Sequence, residues 1–171
     1  MRKGGGKQKG ASFEREVCVM LSKWVSSGAQ EDVFWRSALS GGRATVAHRK
    51  GVKLTEQVGD ISCISPIGNR FTNKFAVEIK FYKDLEYTGL LKGNGKLLAF
   101  WKEINTQASR YNKLPFLVAK QNRMPTTVCL SSQGFLTELG LTEQLTVVIN
   151  HPHDMYIMLA SVFIEHCKPC T

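Results

Sequence analysis

The chain has 171 residues, which suits one domain with a substantial buried core. Apolar residues make up 43% and charged residues 22% of it, the usual balance of a globular protein. Lysine and arginine number 23 against 14 acidic residues, so the formal net charge of +9 favours a polyanionic partner. No apolar run is long enough for a membrane span, and the first residues lack a signal-peptide core. We therefore expect a cytoplasmic protein with no membrane partner, whose cysteines stay reduced.

The first ten residues differ from the rest of the chain. They combine four glycines with Arg2, Lys3, Lys7 and Lys9, which predicts a flexible basic arm over residues 1–10. Such an arm can contact phosphates without reading sequence, and Lys7 and Lys9 are its candidate nucleic-acid-binding residues. A solvated tail that touches nothing is the alternative. Residues 11–171 show no repeat and no second composition, which predicts a single domain.

The first predicted elements are one helix and three strands. Ser12 is a candidate N-cap for a helix to about Ser26, because apolar residues recur there at helical spacing: Phe13, Val17, Met20, Leu21 and Trp24. A short strand then leads into a Ser/Gly-rich basic loop within residues 33–51. VGDISCIS (58–65) and KFAVEIKFY (74–82) predict two strands joined by a turn at PIGN (66–69).

The second half continues the alternation of helices and strands. A glycine-rich connection (89–95) precedes a predicted helix over about 97–112, and PFLVAK (115–120) and TTVCLS (126–131) predict strands. A short helical segment near 133–140 and two apolar runs, QLTVVIN (144–150) and MYIMLASVFIE (155–165), complete the chain.

The strand at 74–82 carries an acid and a base on one face. Side chains two positions apart in a strand share a face, so Glu78 and Lys80 point away from the core side formed by Phe75, Val77, Ile79 and Phe81. Asp60 on the preceding strand can lie alongside them. Carboxylate oxygens are ligands that Mg²⁺ prefers, and an adjacent amine can orient or deprotonate a water, which suits phosphodiester hydrolysis. A solvated face with a cross-strand ion pair is the alternative.

Several motifs occur in an order that resembles a known group of enzymes. Asp60, Glu78 and Lys80 resemble the active-site signature of the PD-(D/E)XK nuclease superfamily, with Gly59 where many members have proline. KGASFEREVCVML (9–21) resembles the first helix of archaeal-type Holliday junction resolvases, and SALSGGR (37–43) resembles their Ser/Gly loop. QASRY (107–111) is similar to the QxxxY pattern of RecB-type nuclease domains. The separation of Asp60 from Glu78 is longer than in the compact resolvases.

The resemblance spans about residues 9–121 and implies an α/β fold. It implies a restriction-endonuclease-like core, with a central mixed β-sheet flanked by helices in the order αβββαβ. The catalytic residues that it implies are Glu14 (with Glu16 as the alternative), Asp60, Glu78, Lys80 and Gln107. The implied cofactor is Mg²⁺ or Mn²⁺, held by Asp60, Glu78, Ile79 and Glu14.

Basic residues cluster in the segment that leads into the Asp60 strand. Arg36, Arg43, His48, Arg49, Lys50 and Lys53 belong to it. A phosphate-binding loop and a plain solvated surface are the two interpretations, and the adjacency of this segment in sequence to the implied metal site favours the first. The candidate nucleic-acid-binding residues are therefore Lys7, Lys9, Ser40, Arg43, Arg49, Lys50 and Tyr111.

These observations together predict a metal-dependent DNA endonuclease. The resemblance of the first helix and the Ser/Gly loop favours structure-selective cleavage of branched DNA, as by a Holliday junction resolvase. We expect a homodimer, because two symmetric cuts need two sites related by a two-fold axis. A restriction-like or end-processing nuclease on the same core and a non-catalytic nucleic-acid-binding module are the alternatives. If the chain is phage-encoded, the host cytoplasm is where it acts.

The cysteine pattern offers a further, weaker hypothesis. HCKPC (166–170), with His151 and His153, has the residue types of a zinc site. A structural zinc site shows a second pair of ligands at defined spacing, and the sequence has only one CxxC. We therefore expect an ordinary chain terminus there.

Overall fold

The computed structural model describes residues 5–37, 58–134, 139 and 148–169, with side chains described from residue 8 and, in the last segment, from residue 152. Its helices are α1 (Gly5–Val25), α2 (Asn69–Lys74), α3 (Lys96–Arg110) and α4 (Ala160–His166). Its strands are β1 (Phe34–Arg36), β2 (Ile61–Cys63), β3 (Phe75–Tyr82), β4 (Leu114–Gln121), β5 (Thr127–Leu130), β6 (Val148–Asn150) and β7 (Met155–Leu159). Short 3₁₀ turns lie at Pro66–Gly68, Tyr87–Lys92 and His151–His153.

Five strands form a mixed sheet in the order β3-β4-β5-β7-β6. β3 and β4 are parallel and joined through α3, and the other neighbours are antiparallel. β1 and β2 form a separate antiparallel pair, which meets β3 through a parallel bridge between Gly59 and Val77. The predicted α/β class, with a mixed sheet flanked by helices, is confirmed, and the order αβββαβ holds from α1 to β4 with α2 inserted before β3.

The two faces of β3 belong to two different cores. Phe75, Val77 and Ile79 are buried against α1, as the alternation in the sequence predicts. Ala76 is buried on the other face, with the apolar side of α3. Since side chains alternate along a strand, Glu78 and Lys80 lie on the α3 side of β3.

The core on the α1 side is rich in aromatic rings. Four of the five apolar residues predicted for the first helix are buried, and Met20 packs at its border. Phe71 lies at the centre of this core, and its ring centroid is 5.1–5.6 Å from four others: those of Trp24, Phe34, Phe75 and Phe116. Edge-to-face and tilted contacts at such distances add to the free energy gained by burial.

The start of the first helix was predicted wrongly. α1 begins at Gly5 rather than at Ser12, so residues 5–10, expected to belong to a flexible arm, are helical. Lys7, Gln8 and Lys9 favour helix, and extending a helix that is already packed adds one hydrogen bond for each residue ordered. Lys9 is exposed on this first part of the helix.

The connection from β2 to β3 also differs from the prediction. The expected turn at 66–69 is a 3₁₀ turn followed by α2, and the strand expected at 58–65 is confined to Ile61–Cys63. The physical reason is Phe71, which is fully buried and needs a helical turn to reach the core. Asp60 reaches β3 through the Gly59–Val77 bridge rather than across a hairpin.

The C-terminal part follows the apolar pattern. The run at 155–165 forms β7 and most of α4, and the end of the run at 144–150 forms β6. Most of the helical segment predicted at 133–140 lies outside the described residues. In the ranges that the structure describes, no helix is both long and apolar enough to cross a membrane.

Candidate active site

Asp60 is held against the edge of β3 by its backbone and its side chain. Its N–H donates to the Val77 carbonyl at 2.7 Å, and its Oδ2 accepts from the Ile79 N–H at 2.8 Å. Gly59 makes this approach possible, because a Cβ there would lie 2.1 Å from the Val77 carbonyl oxygen and its φ is +96°. The glycine at this position is therefore required by the close contact with β3.

Glu78 and Lys80 form an ion pair on the α3 side of β3. Their side chains are 13% and 22% exposed, respectively. The Lys80 ammonium also lies 5.1 Å from the centre of the Phe100 ring, and that ring packs on Tyr82 with a centroid distance of 5.0 Å. Burial alone would lower the pKa of Lys80, but the Glu78 and Asp60 carboxylates outweigh it and raise the pKa. Lys80 is therefore a cation at neutral pH.

The charges around Asp60 raise its pKa to about 7. Burial is the largest cause and the Glu78 carboxylate the next, while the Ile79 N–H and Lys80 act in the opposite direction. Two carboxylates that repel each other in a poorly solvated place favour a bound cation. The pair accordingly fits a divalent ion that prefers oxygen ligands.

Glu14 reaches the same region from α1. Its carboxylate pairs with Arg36 of β1 at 2.5 Å, and the two side chains are 18% and 28% exposed. It is close enough to contribute to the raised pKa of Asp60. Together with burial, which is the main cause, it also raises the pKa of Cys18 to about 11. Glu16, the alternative, is 60% exposed and lies 3.8 Å from Lys120 of β4.

Gln107, predicted as a site residue, shares one side of α3 with Phe100 and Glu103. Phe100, Glu103 and Gln107 are spaced by three and four positions and so share a face. Phe100 contacts Lys80, and Glu103 raises the Lys80 pKa, so this face is turned toward the ion pair. Gln107 is partly buried one turn further on, and Tyr111 packs against the core on the α3 side.

Few side chains of this region could bind a metal ion. Among the residues that the structure describes, no three acidic, histidine or cysteine side chains form a ready-made metal site. Asp60 and Glu78 are the adjoining acids, and Glu14 is engaged by Arg36. The Ile79 side chain is buried, so that residue can offer only its backbone carbonyl. That carbonyl points to the same strand edge as the N–H that binds Asp60.

The predicted DNA-binding residues are only partly described. Ser40, Arg43, Arg49 and Lys50 lie outside the described residues, as do His48, Lys53 and the side chain of Lys7. Arg36, expected in the phosphate-binding cluster, pairs with Glu14 instead.

Sequence reasoning missed two neighbours of the site. The partnership of Arg36 with Glu14 had no signal, because the two residues come from different elements. The contact of Phe100 with Lys80 could have been predicted from the sequence. Phe100 precedes Gln107 by seven positions and therefore lies on the same face of the helix.

The zinc hypothesis gains no support in the described part of the chain. Cys167 is 4% exposed within the core on the α1 side, and its carbonyl accepts a hydrogen bond from Trp24. Cys170 lies outside the described residues.

Comparisons with known proteins place the chain in a family. By structure it is similar to Archaeoglobus fulgidus Hjc, a Holliday junction resolvase, with a TM-score of 0.35 and 16% identity over 93% of this chain and 95% of that chain. A likeness at that TM-score carries no argument about function. No curated protein matches the chain. The family model of the phage putative PDDEXK endonucleases matches residues 5–166, which confirms the PD-(D/E)XK resemblance, and the chain belongs to this family.

Proposed function

We propose that this protein is a DNA endonuclease that depends on a divalent metal ion and cleaves branched DNA. The observation that carries the proposal is the pairing of Asp60 and Glu78 beside Lys80. Burial and the Glu78 charge raise the Asp60 pKa to about 7, so the site is electrostatically incomplete without a cation. A protein with a formal net charge of +9 is also suited to a polyanionic substrate.

Mg²⁺ or Mn²⁺ is the proposed cofactor. Asp60 and Glu78 would hold it through their carboxylates and Ile79 through its carbonyl, with Glu14 as the further acidic ligand. When bound, the ion supplies Lewis-acid polarisation of the phosphate and an acidic water. By holding the ion, Asp60 and Glu78 would determine where the scissile phosphate lies relative to β3.

Lys80 serves this chemistry as a fixed positive charge. In the protein without metal its raised pKa keeps it protonated. Its ammonium lies between Glu78 and the Phe100 ring, and both contacts restrict its motion. It therefore offsets the negative charge that develops on the phosphate in the transition state. Gln107, on the same side of α3, is the proposed residue for orienting the substrate.

Away from Asp60, Glu78 and Lys80, the proposed DNA contacts are those that the sequence predicts. Lys7 and Lys9 of the first helix, the loop residues Ser40, Arg43, Arg49 and Lys50, and Tyr111 would contact the phosphate backbone. Such contacts supply affinity that falls with salt and carry little sequence information.

Branched DNA is the proposed substrate, and a homodimer is the proposed assembly. Support comes from the similarity of residues 9–21 and 37–43 to the first helix and the Ser/Gly loop of archaeal-type resolvases. A two-fold dimer would nick opposing strands at symmetric positions. The family description, of a phage endonuclease, agrees with action in a host cytoplasm.

One cleavage experiment tests this function. Purified protein with Mg²⁺ is incubated with labelled four-way junction, flap, duplex and single-stranded DNA, and Asp60→Asn serves as the inactive control. We expect symmetric nicks in the junction, no cleavage by the variant, and a dimer in sedimentation. Equal cleavage of linear duplex by a monomer would reject the resolvase assignment and leave a general nuclease. No cleavage of any DNA with Mg²⁺ or Mn²⁺ would reject the enzyme.

A further inference from the structure

A small polar cavity lies beside the segment that carries Asp60. Its volume is about 90 Å³, and Val58 and Ile61, the neighbours of Gly59 and Asp60, form part of its wall. The remaining lining comes from β2, α2 and the start of β3: Ser62, Cys63, Asn69, Thr72, Asn73 and Phe75. The volume is several times the 10–15 Å³ or so that one water molecule needs, so the polar edge of a planar ring can enter it.

The polar groups of this cavity are available to a ligand. Ser62 is 9% exposed, and within the described part of the chain its hydroxyl has no hydrogen-bond partner. The same holds for the side-chain amides of Asn69 and Asn73 in α2. A buried hydroxyl without a partner is uncommon and needs an explanation. One hydroxyl and two amides offer both donors and acceptors, as the edge of a nucleobase requires.

An exposed tryptophan is paired across two strands with Ser62, one of the lining residues of this cavity. Trp35 of β1 is directly opposite Ser62 in the β1–β2 pair, so the two side chains project from the same face of that pair. Trp35 is 59% exposed, whereas Trp24 and Trp101 are 5% and 1% exposed. A flat aromatic surface beside unpaired hydrogen-bonding groups is how proteins hold a base that has left its stack.

A cation is available for the phosphate of the same nucleotide. Arg70 precedes Asn73 by one helical turn on α2, is exposed, and has no ion pair among the described residues. A cation such as Arg70 can bind the phosphate of a nucleotide whose base lies in the cavity.

We propose that this cavity binds one unpaired nucleobase next to the cleaved phosphate, with Trp35 stacking on it. The inference rests on the proposed nuclease function and deepens it, because it names what the enzyme recognises in branched DNA. Bases at a branch point or bulge leave the stack at less cost than bases inside a duplex. A pocket for such a base therefore gives preference for DNA structure without reading sequence.

The test compares binding to two bulged duplexes in EDTA, where no cleavage occurs. They have the same sequence, but one has a base at its single unpaired position and the other an abasic site, so phosphate contacts are matched. We expect the base-bearing bulge to bind at least about fivefold more tightly. It should also quench the tryptophan emission of the protein, because Trp35 is the exposed tryptophan.

Two variants and one control locate the effect. Trp35→Ala should bring the ratio of the two affinities close to one, and Ser62→Ala should lower it. Ile67→Ala, which removes an exposed apolar side chain outside the cavity, should leave the ratio unchanged. Circular dichroism establishes that each variant is folded.

Two outcomes would overturn the proposal. One is equal binding of the two bulges by the unaltered protein, which would mean that the cavity holds only water. The other is an unchanged ratio in both folded variants. Because this binding needs no metal ion, failed cleavage with intact base preference would reject the nuclease alone. Normal cleavage without base preference would reject the pocket alone.

Discussion

The Asp60 carboxylate accepts a hydrogen bond from the backbone N–H of Ile79, the residue between Glu78 and Lys80. This contact fixes the Asp60 carboxylate beside the ion pair of Glu78 and Lys80. An amide at position 60 can accept the same hydrogen bond, which separates the charge of Asp60 from its role in positioning.

Asp60→Asn should abolish cleavage and leave DNA binding intact or tighter, because it removes a negative charge that faces phosphate. Glu78→Gln should behave in the same way. Cleavage and binding are measured on one substrate. Asp32→Asn is the control, since Asp32 is an exposed acid that precedes β1 and is not a proposed site residue. Normal cleavage by either variant would remove that residue from the metal site.

The stability of the metal-free protein should fall as the pH rises from about 4 to about 7. The unfolded chain releases the Asp60 proton near pH 4, whereas the folded protein keeps it until about pH 7. The stabilisation that the protonated Asp60 contributes is therefore complete below about pH 4 and is lost as the pH rises through about 7. Between these values the free energy of unfolding changes by at most about 1.4 kcal/mol per pH unit. Denaturant unfolding in EDTA measures it.

The Asp60→Asn variant is the control for that measurement. It has no proton to release at position 60, so the difference between the two unfolding curves isolates this group. At pH 8 without metal the variant should be the more stable protein. Parallel pH profiles for the two proteins would show that the Asp60 pKa is close to its ordinary value.

Lys80→Ala should lose most of the turnover and keep Mg²⁺ binding in calorimetry, because the proposed role of Lys80 is to offset charge on the phosphate. Lys120→Ala is the matched control, since Lys120 is also part-buried over aromatic rings but lies on the α1 side of the sheet. Loss of metal affinity in Lys80→Ala would instead assign Lys80 a supporting role for Glu78.

Glu14→Gln should lower the cleavage rate more than about tenfold, or about 1.4 kcal/mol of transition-state stabilisation. Because Glu14 pairs with Arg36 in a half-buried place, it should also lower the unfolding free energy by about 1–2 kcal/mol. A double-mutant cycle with Arg36→Met separates the two effects. If the double variant recovers stability but not rate, Glu14 acts on the reaction directly; recovery of both would make it a structural residue.

Gly59→Ala should destabilise the fold by at least about 2 kcal/mol more than Gly28→Ala. Both glycines have positive φ, +96° and +88°, so the conformational strain is similar. A Cβ at Gly28 has open space, whereas one at Gly59 meets the Val77 carbonyl. Thermal unfolding of the two variants compares them directly, and equal losses would show that β3 can move away.

The alternation of β3 could be read from the sequence because it is local, and the PD-(D/E)XK motif because its residue types occur in a known order. Phe75 to Ile79 show the period of a strand, and Asp60 was found through its motif. α2 could not be predicted, since its six residues contain one apolar side chain, Phe71, and three of the four rings around it come from α1, β1 and β4. The Glu14–Arg36 pair likewise depends on how α1 and β1 pack together.

The close contact of Asp60 with β3 also covers part of the outer edge of that strand. Among the described residues β3 is an outer strand of the sheet, and an outer strand presents free N–H groups to which another chain can add a strand. Gly59 and Asp60 occupy that edge at Val77 and Ile79. The acid proposed for the chemistry thus also occupies backbone groups of β3 to which a strand of another chain could otherwise bind.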